Sequence, residues 1–433
     1  MTEARSYWSR LLASVELARA FTLTVLITAF GSFAIERLTS TVTLATIIAV
    51  LCVLAAAILF ARREELSPLR IAPSSLLAFL AWALLSFFWT SSQSDTLIGW
   101  LALFGLAFLA ITIGHIRDTL QTVRAIGDTL RVLLALSLAL EVLSGILLDM
   151  PFRFLGIQGN LAVGGPVQGL FGTRNMLGFI AVIALITFVI EWRTQSVAAP
   201  RAVGSLILAG SLALLSSSPT VLVLAAAVGV ATGALVIVRH ARPERRSLVQ
   251  WGLGAIAALA LGVAFVFRHP IIAWMDAGSD FSIRATLWNT ILDYVPVKPI
   301  QGWGWFGPWE LEEFPFSFIN FELNDTHQTA LNSYFDVLLQ LGAAGLVLFL
   351  LLGGVALIRS WLVASVRRSV VYAWTPLIVV TLAVESMFES FTLVGAGWFM
   401  LVLCALRAGQ TRSWRESIDA ANTGVIPTLR PQE

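Results

Sequence analysis

Arginines and carboxylates hold most of the chemistry available to this chain outside its apolar segments. Arg284, in SIRATLWNT, and Arg174, in GTRNMLG, carry guanidinium groups that stay protonated and present planar forks to pairs of phosphate oxygens. Each can equally anchor a lipid phosphate or pair with an acid. His327 is the one histidine of four that falls near them, and it can act as a base toward a hydroxyl within hydrogen-bond reach or simply bond its own loop. A helix starting near Asp325 would set His327 one turn before Leu331 and carry Asp325, Asn332 and Asp336 along roughly one side. Capping explains Asp325 equally well. Glu385 and Glu389 are spaced one turn apart beside an apolar run, where ionisable groups bind polar ligands or pair with cations. Trp303 and Trp305 can stack on a flat ligand face or anchor their loop at headgroup level.

The elements that position these residues are membrane helices. Of 433 residues, 58% are hydrophobic and only 12% charged, and the mean hydropathy is +0.84. This composition excludes a soluble globular domain and predicts an all-α polytopic membrane protein. Runs of about 20 apolar residues, the length that crosses a bilayer, recur about twelve times between residues 20 and 406. The chain reads as a single integral membrane domain, 1–433. Of its 28 Lys and Arg, all but Arg37, Arg153, Arg174, Arg268, Arg284 and Lys298 flank alternate ends of these runs. Basic residues concentrate on cytoplasmic flanks, so both termini are expected inside. No cleavable signal peptide is expected, because another apolar run follows the first. Cys52 and Cys404 fall within apolar runs and suggest neither a disulfide framework nor a metal site. The net charge of +2 is spread along the membrane edge, which argues against a nucleic-acid partner.

Two connections on the outer side are long. Residues 149–174 are glycine-rich, and 268–329 contain Trp274, Trp288, Trp303, Trp305 and Trp309, a composition that packs rather than remains disordered. Within the second, 281–294 has helical spacing with a cap at Asp280 or Ser282 and a stop at Pro296. The turn-rich PIQGWGWFGPW follows. The stretch holds eight acids, Asp276 among them, against three basic residues.

Three segments carry a family resemblance: GTRNMLG (172–178), SIRATLWNT followed by PIQGWGWFG, and ALNSYFDVLLQLGAAGLVLFL (330–350). On these the chain resembles the O-antigen ligase and polysaccharide polymerase superfamily of bacterial envelopes. The resemblance implies a metal-independent glycosyltransferase of the bacterial inner membrane. Such an enzyme needs no cofactor and moves an oligosaccharide from a polyprenyl diphosphate carrier to a glycan acceptor hydroxyl on the outer side. It assigns Arg284, through an Arg-x-x-Leu element, and Arg174, in an Arg-Asn pair with Asn175, to the diphosphate. His327 or a nearby acid would then assist the acceptor. Asn175, Asn332, Asp336, Trp303, Trp305, Glu385 and Glu389 would contact substrate. Two departures matter: Leu331 stands before Asn332 where ligases have a histidine, and the turn SSSPT (216–220) lacks an arginine. Both favour a polymerase or a relative from another envelope type. A transporter or flippase of a lipid-linked sugar is the alternative that many spans would suit equally, though the informative residues gather outside rather than at the midplane.

Overall fold

The computed structural model describes residues 12, 14–64, 71–267, 270 and 278–410. The expectations placed on Arg268, His269, Trp274 and Asp276, on the side chain of Asp280, and on the terminal arginines fall outside the described residues. The described part is helical and contains no strand.

In hydrocarbon a backbone must satisfy its own hydrogen bonds, so uninterrupted apolar runs close into helices. Helix α1 (Val15–Phe30) is capped by Ser14 and continues into α2 (Ser32–Leu38) across a 74° bend. There follow α3 (Thr41–Ala61), α4 (Ser74–Leu85), α5 (Gln93–Ile116) and α6 (Thr119–Val142), the last opened by a capping box between Asp118 and Gln121. After segment 149–173 come α7 (Arg174–Arg193), α8 (Ala199–Leu215), α9 (Pro219–His240) and α10 (Arg246–Val266). Two helices off the main bundle, α11 (Gly278–Tyr294) and α12 (Phe316–Leu323), precede α13 (Ser333–Val366), α14 (Trp374–Glu385) and α15 (Gly395–Gln410).

Every apolar run anticipated from the sequence lies on a helix, but the count of about twelve spans is not matched. Six described helices are long and apolar enough to cross a membrane, or seven if the bent α1–α2 pair is one span. The runs at 72–89, 202–216 and 371–386 form shorter apolar helices. Apolar content alone cannot separate a helix that faces lipid from one covered by its neighbours. Helix α3 illustrates the first case and α7, enclosed by α6, α8, α9 and α14, the second. Glu141, buried in α6, accepts the backbone N–H groups of Gln168 and Gly169 and ties segment 149–173 to α6. Arg131 pairs with Asp128 and with the fully buried Glu191, so this buried acid meets a cation.

Helix α13 is broken at Gly342 (φ 67°, ψ −170°), a conformation open essentially to glycine. The backbone groups freed by the break are taken up by the loop PIQGWGWFG. Trp303 N–H donates to Leu339 O (3.1 Å) and Gly304 N–H to Gln340 O (2.8 Å), while Ala343 N–H reaches Pro299 O (2.8 Å). The Gln340 amide closes the interlock, accepting from Phe306 N–H (2.8 Å) and donating to Gly307 O (2.9 Å). Two sequence-distant motifs are thus one unit, in which irregular backbone is tolerated because protein covers it.

Candidate functional site

Five helix ends converge at the end of the bundle that carries segments 149–173 and 295–332. Helix α7 begins there because Thr173 accepts the N–H of Met176 (3.1 Å), which leaves Arg174 and Asn175 in its first turn. Helix α13 begins at Ser333 because the Asn332 side chain accepts the N–H groups of Tyr334 (2.9 Å) and Phe335 (3.2 Å). Helix α14 ends at Glu385, and the turn 386–390 packs against the start of α13, with Ser333 N–H donating to Ser386 O (2.9 Å). Helix α9 contributes its first turn, preceded by Ser218, and α11 contributes Arg284 from its second turn.

Arg284 and Glu389 form the centre of the site. Their ion pair is 2.8 Å long, with side chains 12% and 8% exposed. Of the five N–H donors of a guanidinium, those on Nη1 go to the carbonyls of Leu331 (3.1 Å) and Phe388, and one on Nη2 goes to Glu389 Oε1. The Nε–H and the second Nη2–H have no partner among the described residues. A guanidinium whose Nε–H and an Nη–H lie side by side can bind a phosphate through that edge.

Asn175 Nδ2 donates to the same Glu389 oxygen (2.6 Å), and Ser218 Oγ donates to Asn175 Oδ1 (2.7 Å). Arg174, half-buried, immediately precedes Asn175 at the amino end of α7, where the helix dipole adds to its charge. A single hydrogen-bonded chain from Arg284 to Ser218 therefore crosses α11, the 386–390 turn, α7 and the start of α9, with Arg174 next to its member Asn175 in sequence. Glu389 Oε2 accepts no hydrogen bond among the described residues. Glu385 lies behind it, 2% exposed, with Oε2 accepting from Thr392 (3.1 Å) and Oε1 buried without a partner.

Several expected site residues have structural duties instead. Asn332, 6% exposed, spends its oxygen on the α13 cap and its Nδ2 on Met387 O (2.9 Å). Asp336, 1% exposed, accepts from Trp309 Nε1 (2.6 Å), Ala330 N–H (3.0 Å) and Ser390 Oγ. It fixes the turn that bears Glu389 and offers nothing to a ligand. Trp305 lies in the main core, 1% exposed and edge-on to Phe79. Trp303 is held between Lys298 (4.6 Å to the ring centroid) and Phe314, so its ring faces are engaged within the loop.

The helix expected to start near Asp325 does not exist, because Asn324 and Leu331 both have positive φ and 324–332 is irregular. His327 therefore does not share a helix face with Leu331. Its ring lies 3.4 Å from Asp325, and its backbone is clasped by the Asn320 amide. The Asn332 cap was legible as an Asn ahead of an acid in the first turn. Nothing local signalled Ser218 or the joining of Asn175 to Glu389. Among the described residues no group of three or more His, Cys, Asp or Glu is placed to hold a metal ion.

Residues 204–350 match the family described as O-Antigen ligase, which supports the O-antigen ligase and polymerase superfamily. No curated protein matches the chain. The matched stretch includes Ser218, Arg284 and the PIQGWGWFG–Gly342 interlock, whereas Arg174, Asn175, Glu385 and Glu389 lie outside it. The family implies membrane glycan processing with a lipid-linked oligosaccharide.

Proposed function

We propose that this O-antigen-ligase-like chain transfers or polymerises an oligosaccharide from a polyprenyl diphosphate carrier to an acceptor hydroxyl, without a metal. The reaction takes place on the outer face of the bacterial inner membrane, with both termini inside and α4, α8, α10, α14 and α15 adding to the seven longer spans to make about twelve. The observation that carries this reading is the Arg284–Glu389 ion pair, joined through Asn175 to Ser218, which sets a guanidinium and a carboxylate side by side where the helix ends converge. Arg284 and the amino end of α7 with Arg174 hold the diphosphate, and their contacts strengthen as charge builds on it.

In the transfer step the acceptor oxygen bonds to the anomeric carbon. The bond from that carbon to the diphosphate oxygen breaks, and its electron pair leaves with the diphosphate. The hydroxyl proton passes to Glu389 Oε2, which takes the part of the absent ligase histidine more directly than His327 does. Reconstitution of the protein with a fluorescent polyprenyl diphosphate oligosaccharide and a glycan acceptor in EDTA tests the reading. A new glycosidic bond in wild type, lost in Arg284→Ala, is expected. Carrier movement across the vesicle with no new bond would overturn it in favour of a flippase.

A further inference from the structure

We infer that Ser218 is a positioning residue that sets the direction of the Asn175 amide and, through it, the attitude of the Glu389 carboxylate. The inference rests on the transfer reading above and adds a residue to it. Ser218 precedes α9 at the position where serine ordinarily caps a helix, yet its side chain makes no capping bond. Its hydroxyl, 5% exposed, is directed instead at Asn175 Oδ1 (2.7 Å) and lies 2.7 Å from Thr220 Oγ1.

The direction of every bond in this chain follows from one constraint. An amide oxygen turned toward Glu389 would oppose two acceptors at 2.6 Å, so Asn175 must present Nδ2 there and Oδ1 toward Ser218. Ser218 has a single proton, and Oδ1 requires it. The Thr220 hydroxyl must then donate to Ser218 rather than accept from it. The result is a one-way relay from Thr220 through Ser218 and Asn175 to Glu389 Oε1, which Arg284 meets from the other side. Two donors on Oε1 hold the carboxylate plane and leave Oε2 to receive the acceptor proton. Without the Ser218 hydroxyl the amide is free to turn over, and Oε1 loses one of its two anchors. The turn SSSPT, which lacks an arginine, thus acts through a hydroxyl.

The test compares Ser218→Ala, Ser218→Thr and Asn175→Asp in the reconstituted transfer assay, beside wild type and Arg284→Ala. Ser218→Ala is expected to lower kcat about tenfold with KM for the lipid donor nearly unchanged, as loss of one orienting hydrogen bond predicts. Ser218→Thr, which keeps the hydroxyl, is expected to recover most of that loss. Asn175→Asp sets a second carboxylate against Glu389, alongside Arg284 and with Glu385 one turn behind. Two such acids share a proton, so the low-pH limb of kcat is expected to move to higher pH. A residue that merely packed would lower the yield of folded protein and leave kcat of the folded fraction unchanged. Should Ser218→Ala fail to fold, Ser218→Gly, which removes the same hydroxyl, is measured in its place. An unmoved limb, a Ser218→Ala enzyme as fast as wild type, or a Ser218→Thr enzyme as slow as Ser218→Ala overturns the inference. Absence of transfer by wild type would instead overturn the transfer reading itself.

Discussion

Arg284→Ala followed by Glu389→Gln in the same chain separates what the central ion pair does for stability from what it does for transfer. The single change removes a cation from a pair whose side chains are 12% and 8% exposed, and it strands Glu389. Leaving one partner of a buried pair uncompensated costs about 3–5 kcal/mol. The carbonyls of Leu331 and Phe388 lose their shared donor as well. A neutral glutamine at 389 no longer buries a lone charge and can still accept from Asn175. The double variant should therefore regain roughly half of the loss, about 2 kcal/mol. Transfer behaves differently. Losing one preorganised electrostatic group costs on the order of 10²–10³ in rate, and glutamine cannot take the acceptor proton, so both variants should stay at that floor. Denaturant titration in detergent measures the first quantity and turnover of a fluorescent lipid-linked oligosaccharide the second. A single variant as stable as wild type would refute the buried-pair argument. A single variant that still transfers would refute the placement of the diphosphate on Arg284.

Gly342→Ala should destabilise the protein by about 3 kcal/mol or more, because the residue holds a glycine-only conformation and a Cβ would sit 2.2 Å from Ile300 O. Gly353→Ala, on the same helix with nothing within 4 Å of the new methyl, should be neutral or stabilising; equal melting of the two proteins would contradict the interlock. Asp336→Ala orphans three buried donors, Trp309 Nε1, Ala330 N–H and Ser390 Oγ, and is expected to cost about 3 kcal/mol or more, read by chemical denaturation. Asp336→Ala reducing donor binding without reducing stability would restore it as a ligand-contacting residue. Trp305→Ala should cost about 3–5 kcal/mol as a core deletion with no selective rise in donor KM, which titration of the lipid donor checks.

Polar residues were read least well from the chain, and particular cases show why. Arg284 and Arg174 stood out because few cations lie on the outer flanks; Arg284 enters the hydrogen-bonded chain through Glu389, and Arg174 precedes its member Asn175 on α7. Asn332, Asp336 and Trp305 are of the same residue types as ligand-binding groups, yet each is consumed by partners that the chain order does not reveal. Asp336 meets Ser390 across 54 residues. Asn175 meets Glu389 across 214 and Ser218 across 43. The face assigned to His327 failed for a local reason: two residues with positive φ delay α13 until Ser333.

What the amino-acid order determined by itself was whatever depends on near neighbours. The apolar runs had to become helices, since a backbone in hydrocarbon satisfies itself within the segment. The glycines of PIQGWGWFG had to mark irregular backbone, whereas the break at Gly342 was not legible. Tertiary structure alone decided which side chains keep an unspent hydrogen-bonding edge. That is a property of what each polar atom faces once the helix ends converge: among the described residues Arg284 and Glu389 meet across the site, while Asn332 and Asp336 are taken up by the cap of α13 and the turn beside it.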